Sequence, residues 1–243
     1  DYLNPPDTAE KFTEELCRLP VFYQYPPTDD APAVQPTPVD QAGFIMFGSF
    51  NNPAKVNEQV LDLWARVLKS VPGSQMLFKY KNWYGQASLQ DHVAERFAAC
   101  GVGRDRILFE AASDTFAEHL GRYGAVDIAL DPFPFNGATT TFQALWMGVP
   151  VVSLAGETFI SRAAGSLLHQ VGLGDLTVNT PKAYVDCARD LAGNLEQLRT
   201  LRANLRERMT ASPLCNAPAY ALSVEAAYQD MWGRWCAQPK NIP

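Results

Sequence analysis

The chain has 243 residues, and its 26 acidic and 20 basic side chains give a formal net charge of −6 at pH 7. This negative balance argues against a general surface for nucleic acid or for anionic membranes, since either would need a basic excess. No apolar run reaches the roughly eighteen residues of a membrane-spanning helix, and the first residues show no basic leader followed by an apolar core, so we expect a soluble cytoplasmic protein.

Two segments precede the main sequence pattern. Residues 8–19 place apolar side chains at helical spacing, which predicts one short amphipathic helix. A segment this short cannot form a domain, and we interpret 1–20 as the end of a preceding unit. Residues 21–42 hold five prolines and show no hydrophobic period, which predicts an extended, Pro-rich surface linker.

Beyond the linker, strand-like runs alternate with helical stretches. Strands are predicted at 43–47, 76–78, 106–109, 127–130 and 150–154, each followed by a helix, at 56–68, 89–99, 116–123, 139–147 and 161–171. Three further helices are predicted at 181–192, 194–208 and 218–235. Such alternation is typical of a parallel sheet covered on both faces. We therefore predict one doubly wound α/β lobe over 43–238, with helical C-terminal additions.

Ligands of open parallel sheets bind at the carboxyl ends of the strands, which makes the loops there the candidate sites. In the first loop, 48–55, a Gly/Asn-rich turn leads to Pro53 at the start of the next helix. Asn52 and Lys55 are three residues apart, so both can address an anion at that helix end. The alternative is an ordinary turn with a lysine that faces solvent.

The second loop, 131–141, has the character of a phosphate cradle. Asn136-Gly137 supplies a tight turn, and Thr139, Thr140 and the next threonine begin the following helix, where N–H groups and the helix dipole favour negative charge. It is not a P-loop, because no Gly-Lys-[Ser/Thr] is present. Gln143 lies one turn further on the same face. A helix start that is simply well capped is the alternative.

Two further loops offer weaker candidates. Glu157 can accept hydrogen bonds from sugar hydroxyls, or it can cap the next helix and pair with Arg162. His119 and Arg122 are three residues apart on a predicted helix, so both side chains face the same way. An ordinary core or surface histidine is the alternative at that position.

No metal or nucleophile signature accompanies these loops. The five cysteines are far apart and form no Cys-x-x-Cys pair, and no two of the three histidines lie at a ligand spacing. Gly-x-Ser-x-Gly, a Cys–His pair and paired carboxylates are also absent from the sequence. We therefore predict no metal and no cofactor, and a site that binds a phosphorylated ligand rather than attacking one.

Six motifs follow one another in a single order between residues 47 and 232. They are Phe47-Gly48-Ser49-Phe50-Asn51-Asn52-x-x-Lys55, Asp127-x-x-Leu130-Asp131-x-x-x-x-Asn136-Gly137-x-Thr139-Thr140, Leu145-Trp146-x-Gly148-x-Pro150, Gly156-Glu157-Thr158-x-x-Ser161-Arg162, Ser212-Pro213-Leu214 and Tyr228-x-x-Met231-Trp232. Together they resemble the O-linked N-acetylglucosamine transferase family, in its bacterial tetratricopeptide-linked subgroup.

The resemblance implies a fold and a set of site residues. Family members are two-lobed GT-B glycosyltransferases with Rossmann-like lobes, and the match covers the second, donor-binding lobe; 1–20 would then be a remnant of the first catalytic lobe. The implied nucleotide-sugar-binding residues are Asn52, Lys55, His119, Arg122, Phe135, Asn136, Gly137, Ala138, Thr139, Thr140 and Gln143.

Roles within this set are also implied by the resemblance. Lys55 is the catalytic residue that neutralises the donor diphosphate, with Asn52 beside it where animal enzymes have glutamine. Thr139 and Thr140 bind the phosphates at the helix N-terminus. The base is held elsewhere: a uracil ring stacks on the histidine of the 116–123 helix, His119, and its edge meets the arginine three residues later, Arg122.

Four positions depart from the family pattern. Ala138 replaces a histidine next to the phosphates, and Phe116 falls near a lysine that contacts the ribose. Gln143 replaces an acidic residue that accepts from ribose hydroxyls, and a neutral amide is a weaker acceptor. Phe135 stands where a small residue faces the acetamido group of the sugar.

The implied activity is inverting, metal-independent transfer of GlcNAc from UDP-GlcNAc to Ser or Thr of proteins. A related donor, UDP-glucose or GDP-fucose, and a nucleotide-binding or interaction fragment without turnover are the open alternatives. We expect this chain alone to be inactive, because the protein acceptor would be held through a missing N-terminal lobe and tetratricopeptide repeats. We interpret the aromatic residues Tyr228, Trp232 and Trp235 as packing for the final helix, and we expect self-association as a homodimer.

Overall fold

In the computed structural model, which describes residues 2–26, 28 and 30–237, six strands form one parallel sheet. The strands are β1 Met46–Ser49, β2 Gln75–Lys79, β3 Ile107–Glu110, β4 Ile128–Leu130, β5 Val151–Leu154 and β6 Thr177–Val178. Their order is β3-β2-β1-β4-β5-β6, which is the classic doubly wound arrangement. In register, Phe47 pairs with Met76 on one side and with Ile128 on the other. The predicted fold class is confirmed.

Helices cover the sheet and continue beyond it. They are α1 Val39–Ala42, α2 Glu58–Ser70, α3 Ala87–Ala99, α4 Phe116–Gly121, α5 Thr139–Trp146, α6 Ala163–Gln170, α7 Pro181–Gly193, α8 Leu195–Ala211 and α9 Ala217–Ala237. α2 begins where the Asn57 side chain accepts the Val60 N–H, and one face of it is buried, with Trp64 fully inaccessible. Cap and apolar stripe together explain why this segment forms a helix against the sheet.

A chain of hydrogen bonds connects the core to the carboxyl end of β4. The Trp64 indole N–H donates to the Tyr184 hydroxyl at 3.1 Å, and that hydroxyl donates to the Asp131 carbonyl at 3.1 Å. Both aromatic side chains are fully buried, so their polar atoms need these partners. The contacts fix α2 and α7 relative to the loop that follows β4.

The predicted helix over 8–19 is wrong. These residues contain no helix in the structure and lie as an irregular segment across the lobe. Arg18 Nε donates to the Asn4 carbonyl at 2.8 Å, and Glu10 accepts the N–H of Phe159 at 2.7 Å. A short isolated helix is marginal in water, and the apolar side chains of this segment are exposed or only partly buried in the structure.

The prediction of an exposed linker over 21–42 is also wrong in part. Val21 and Tyr25 are buried, and the Tyr25 ring stacks on Phe142 with centroids 5.2 Å apart. The end of the segment forms α1. Residues 1, 27, 29 and 238, which fall within the predicted segments and lobe, lie outside the described residues. The assignment of 1–20 to another lobe stays a prediction.

The final helix, α9, buries none of its side chains. Tyr228, Trp232 and Trp235 are 66%, 65% and 55% exposed, and the two tryptophan rings stack on each other with centroids 5.1 Å apart. This ring contact lies within α9, and the interpretation of the three aromatic residues as packing for the final helix stays a prediction. Self-association stays a prediction. In the described part of the chain, no helix has the length and apolar character needed to cross a membrane.

Candidate functional site

A cleft of about 660 Å³ opens at the carboxyl ends of β1 to β4. Its walls come from the segments that follow these strands, 50–55, 79–81, 112–119 and 138–143. The chain leaves β1 toward β2 on one side and later returns to β4 on the other side, so a crevice forms between the diverging loops. Seven predicted site residues line it: Asn52, Lys55, His119, Ala138, Thr139, Thr140 and Gln143.

Lys55 lies at the end of a short 3-10 turn, Pro53–Lys55, which the Asn52 side chain caps by accepting the Ala54 N–H at 3.0 Å. Its ammonium donates to the carbonyl of Asn136 at 2.9 Å and lies 3.9 Å from the centroid of the Phe135 ring. Burial lowers the pKa of Lys55, and the nearby Asp131 carboxyl acts in the opposite direction. The turn thus holds a half-buried cation beside the 131–137 loop.

Asp131 anchors that loop from below. Its carboxylate accepts the Gly137 N–H at 2.7 Å and the Ser153 hydroxyl at 2.8 Å. The side chain is fully buried, and burial raises its pKa to about 7, against the lowering effects of these two donors and of Lys55. A Cβ on Gly137 would lie 2.6 Å from Thr140 Oγ1 and 2.8 Å from the carboxylate, so the turn requires glycine.

The first turn of α5 is not capped by a side chain. Ala138 occupies the N-cap position and has no acceptor, whereas Asn57 and Thr180 cap α2 and α7. The first N–H groups of a helix have no intrahelical partner, and here they face a cleft that also contains an ammonium group. This arrangement favours a bound anion, and it excludes the alternative of a well-capped helix start.

The three threonine hydroxyls of this turn do not all converge on the cleft. Thr140 Oγ1 donates to Asn51 Oδ1 at 2.8 Å, and the Thr141 hydroxyl is buried without a hydrogen-bond partner. Thr139 is exposed. The turn therefore offers a ligand its backbone N–H groups and the side chain of Thr139, which lines the cleft.

The far end of the cleft is aromatic. The His119 ring lies next to Phe116 with centroids 6.2 Å apart and planes at 23°, and Phe50 is on another side at 5.8 Å. Its Nε2 is 3.3 Å from Gln143 Oε1, which also accepts from the Tyr123 hydroxyl at 3.4 Å. Burial lowers the pKa of His119, the Gln143 contact raises it and Lys79 lowers it. A neutral imidazole next to flat rings suits a stacked heterocycle.

Arg122 does not join the residues that line the cleft. It forms a two-point ion pair with Glu110, in which its Nε donates at 2.8 Å. The third predicted loop is also separate, because Arg162 donates to the Gly156 carbonyl at 2.9 Å and makes no ion pair with Glu157 among the described residues. The contact of Arg122 with a base stays a prediction.

Sequence reasoning missed two functional candidates, Asp131 as the anchor of the cradle and Lys79 as a second cation at the cleft wall. Both are 1% exposed, and each stands at or just beyond the end of an apolar strand. That position at the carboxyl edge is the signal that could have identified them.

Across residues 2–26, 28 and 30–237, no three His, Cys, Asp or Glu side chains are grouped closely enough to hold a metal ion. The expectation of metal-independent chemistry stays a prediction.

Known proteins with similar sequences and structures agree with the fold described above. The model of the family described as glycosyl transferase family 41 matches residues 38–224. A probable UDP-N-acetylglucosamine--peptide N-acetylglucosaminyltransferase, SPINDLY of Arabidopsis thaliana, is 40% identical over 96% of this chain and 26% of its own length. The UDP-N-acetylglucosamine--peptide N-acetylglucosaminyltransferase of Caenorhabditis elegans is 31% identical over 79% of this chain and 16% of its own length.

Among solved structures, a mutant of the O-GlcNAc transferase of Thermobaculum terrenum superposes with a TM-score of 0.86 and 33% identity, over 96% of this chain and 44% of that one. The C-terminal domain of the glycosyl transferase group 1 family protein LpcC from Francisella tularensis, at 13% identity and a TM-score of 0.55, shares the fold alone. This chain spans about a quarter of the length of its plant relatives. The resemblance to a bacterial tetratricopeptide-linked subgroup stays a prediction.

Proposed function

Because this chain belongs to glycosyl transferase family 41, we propose that it is the donor-binding lobe of an enzyme that transfers GlcNAc from UDP-GlcNAc to Ser or Thr of proteins. One observation carries the proposal. The ammonium of Lys55 bonds to the carbonyl of Asn136, two residues before the uncapped start of α5. Two independent anion-binding features thus meet at one end of a single cleft.

The chemistry of the transfer needs positive charge at that end. When the acceptor oxygen bonds to the anomeric carbon, the acceptor hydroxyl gives its proton to a base outside this chain, the bond from that carbon to the diphosphate oxygen breaks, and negative charge grows on the leaving group. A preorganised ammonium and backbone N–H groups stabilise that charge without reorganisation. Lys55 and the first turn of α5 supply both, which supports a transfer that needs no metal ion. We propose inversion at the anomeric carbon for the same site.

The other end of the cleft suits the nucleobase. His119, with Phe116 and Phe50 beside it, offers a flat apolar surface on which a base can stack. The polar edge of a stacked base stays free to form hydrogen bonds. Gln143, in the second turn of α5, lines the cleft and contacts His119, so it is placed to reach a ribose. The order base, ribose and diphosphate therefore follows the cleft from α4 to α5.

Phe135 favours a second candidate donor. Its half-exposed ring lies against the Lys55 ammonium, where a sugar attached to the diphosphate would begin. A bulky ring at this position leaves less room for an acetamido group. UDP-glucose or GDP-fucose is therefore the alternative donor, and competition between the three nucleotide sugars distinguishes them.

Acceptor binding requires parts of the protein beyond this chain. We propose that a protein acceptor is held by an N-terminal catalytic lobe and tetratricopeptide repeats, and that the enzyme acts in the cytoplasm. The carboxyl group near Lys55, that of Asp131, is fully buried and accepts hydrogen bonds on both oxygens, so it is not available to an acceptor as a general base. We therefore expect this chain to bind nucleotide without turning it over.

Calorimetric titration with UDP, in buffer containing a metal chelator, tests the proposal. We expect the native chain to bind and Lys55→Met to lose at least about tenfold in affinity, because a hydrogen bond to a charged group contributes about 1.5–3 kcal/mol. Lys69→Met is the matched control, since Lys69 is exposed in the last turn of α2, at the opposite edge of the sheet. Equal losses in both variants, or none in Lys55→Met, would remove the assigned diphosphate contact.

A further inference from the structure

A second lysine, Lys79, is built into the wall of the cleft. It is the last residue of β2 and is 1% exposed, yet it belongs to the lining of the cleft. Its Nζ donates to the carbonyl of Ala111, just beyond β3, at 2.8 Å. Ion pairs recorded for the described residues do not include it, because the neighbouring Glu110 is engaged by Arg122.

The Lys79 ammonium has N–H donors that no described residue accepts. A lysine carries three N–H donors, and within the described residues only the Ala111 carbonyl accepts from Lys79. Burial lowers its pKa, Glu110 raises it and Arg122 lowers it further. A buried cation with unused donors is costly unless another partner completes its hydrogen bonds. A ligand in the cleft can be that partner.

The position of Lys79 in the sheet assigns it to the base rather than to the phosphates. The cradle follows β4, Lys55 follows β1, and Lys79 ends β2, the next strand outward. Neighbouring strands lie about 4.8 Å apart, so Lys79 stands roughly 10 Å across the sheet from the strand that leads to the cradle. It is close enough to His119 to lower the pKa of that ring, and the ring belongs to the base end.

We propose that Lys79 selects the nucleobase of the donor, by donating to a keto oxygen of the base that stacks at His119. The proposal rests on the proposed function, since it assumes a nucleotide in this cleft. An ammonium only donates, so it pairs with O4 of uracil or with O6 and N7 of guanine. The exocyclic amino groups of cytosine and adenine are themselves donors and would meet it unfavourably.

UDP and CDP form a matched pair of probes, because they share ribose and diphosphate and differ at the 4-position of the base. We expect the native chain to bind UDP at least about tenfold more tightly than CDP, since each lost charged hydrogen bond changes affinity by about that factor or more. In Lys79→Met the two affinities should converge to within about threefold. GDP and ADP form a second pair of the same design, with a keto or an amino group at the 6-position.

Lys81→Met is the control variant, because Lys81 lines the same cleft but is exposed. It should weaken both members of a pair equally and leave their ratio unchanged. Lys79→Gln keeps a donor and a partner for Ala111, and it should retain part of the preference for the keto base, even if the methionine variant fails to fold. A native chain that binds neither UDP nor GDP would overturn the proposed function.

Base selection by Lys79 is tested separately from nucleotide binding itself. It is overturned if the native chain binds UDP and CDP with equal affinity, or if Lys79→Met keeps the native ratio. A loss of affinity that is equal for UDP, CDP and inorganic pyrophosphate would make Lys79 a phosphate contact, which also overturns base selection.

Discussion

Replacing Asp131 by asparagine removes the charge from the anchor of the cradle while keeping its shape. The native carboxylate accepts from the Gly137 N–H and from the Ser153 hydroxyl. An asparagine oxygen can still accept from Gly137, and its amide can donate to Ser153 after the hydroxyl rotates. The variant should therefore fold, and its difference from the native chain should report the ionisation of one buried group.

The magnitude follows from proton linkage. Burial raises the pKa of Asp131 from 3.8 to about 7, so the native state binds this proton more tightly than the unfolded chain does. Between these two values the unfolded carboxyl is ionised and the native one is protonated, and stability falls as pH rises. At 1.36 kcal/mol per pH unit, the loss from about pH 5 to about pH 8 is about 2 to 3 kcal/mol. Asp131→Asn should lack this loss.

Urea unfolding at about pH 5, 6, 7 and 8 measures the effect as the difference between the two proteins. His119, whose pKa burial lowers, changes stability in the opposite direction, but it is common to both and cancels. Ser153→Ala is the control, because it removes one hydrogen bond and keeps the carboxyl, so its pH dependence should persist. Parallel curves for the native chain and Asp131→Asn would refute a carboxyl that is protonated in the folded state.

Two substitutions test the geometry of the cradle itself. Gly137→Ala places a Cβ 2.6 Å from Thr140 Oγ1. It should lower the free energy of unfolding by about 1–3 kcal/mol and weaken UDP binding. An unchanged midpoint in urea unfolding would show that the turn relaxes freely. Ala138→Asp puts a carboxylate at the open N–H groups of α5, and should reduce UDP affinity at least about tenfold without destabilising the helix. Calorimetry measures that loss, and undiminished affinity would contradict an anion site at this helix end.

Most of the sheet could be predicted from the sequence because its strands are short apolar runs separated by helical periods. The run that contains Val151–Leu154 is buried on both faces, as its continuous hydrophobicity predicts. β6 was missed because two residues, Thr177–Val178, are too few to produce a pattern. The helix expected over 8–19 failed for the opposite reason: the apolar period was present, but the side chains that form it are exposed or only partly buried in the structure.

That Asn52, Lys55 and Thr139 line one cleft could be predicted from the topology of a parallel sheet. Asn52, Lys55 and Thr139 are far apart in sequence, but each follows a strand, and parallel strands bring their carboxyl ends to one edge. Arg122 was expected to face the same way as His119, and its contact with a base stays a prediction. In the structure its guanidinium pairs with Glu110 at the end of β3 and does not line the cleft.

The strand-end positions of Lys79 and Asp131 could have marked them as candidates, but their burial could not be predicted, because it is decided by the chain that folds over the end of the strand. Lys79 is covered by the segment after β3, which offers the Ala111 carbonyl, and Asp131 by the turn that returns its own Gly137. Neither contact leaves a local pattern. The buried Asp131 holds the 131–137 loop, because its two oxygens accept hydrogen bonds from Gly137 and Ser153 within the lobe. Lys79 keeps donors that the described lobe does not use, at the edge where ligands bind, so the cost of burying that charge is best explained by the ligand that completes it.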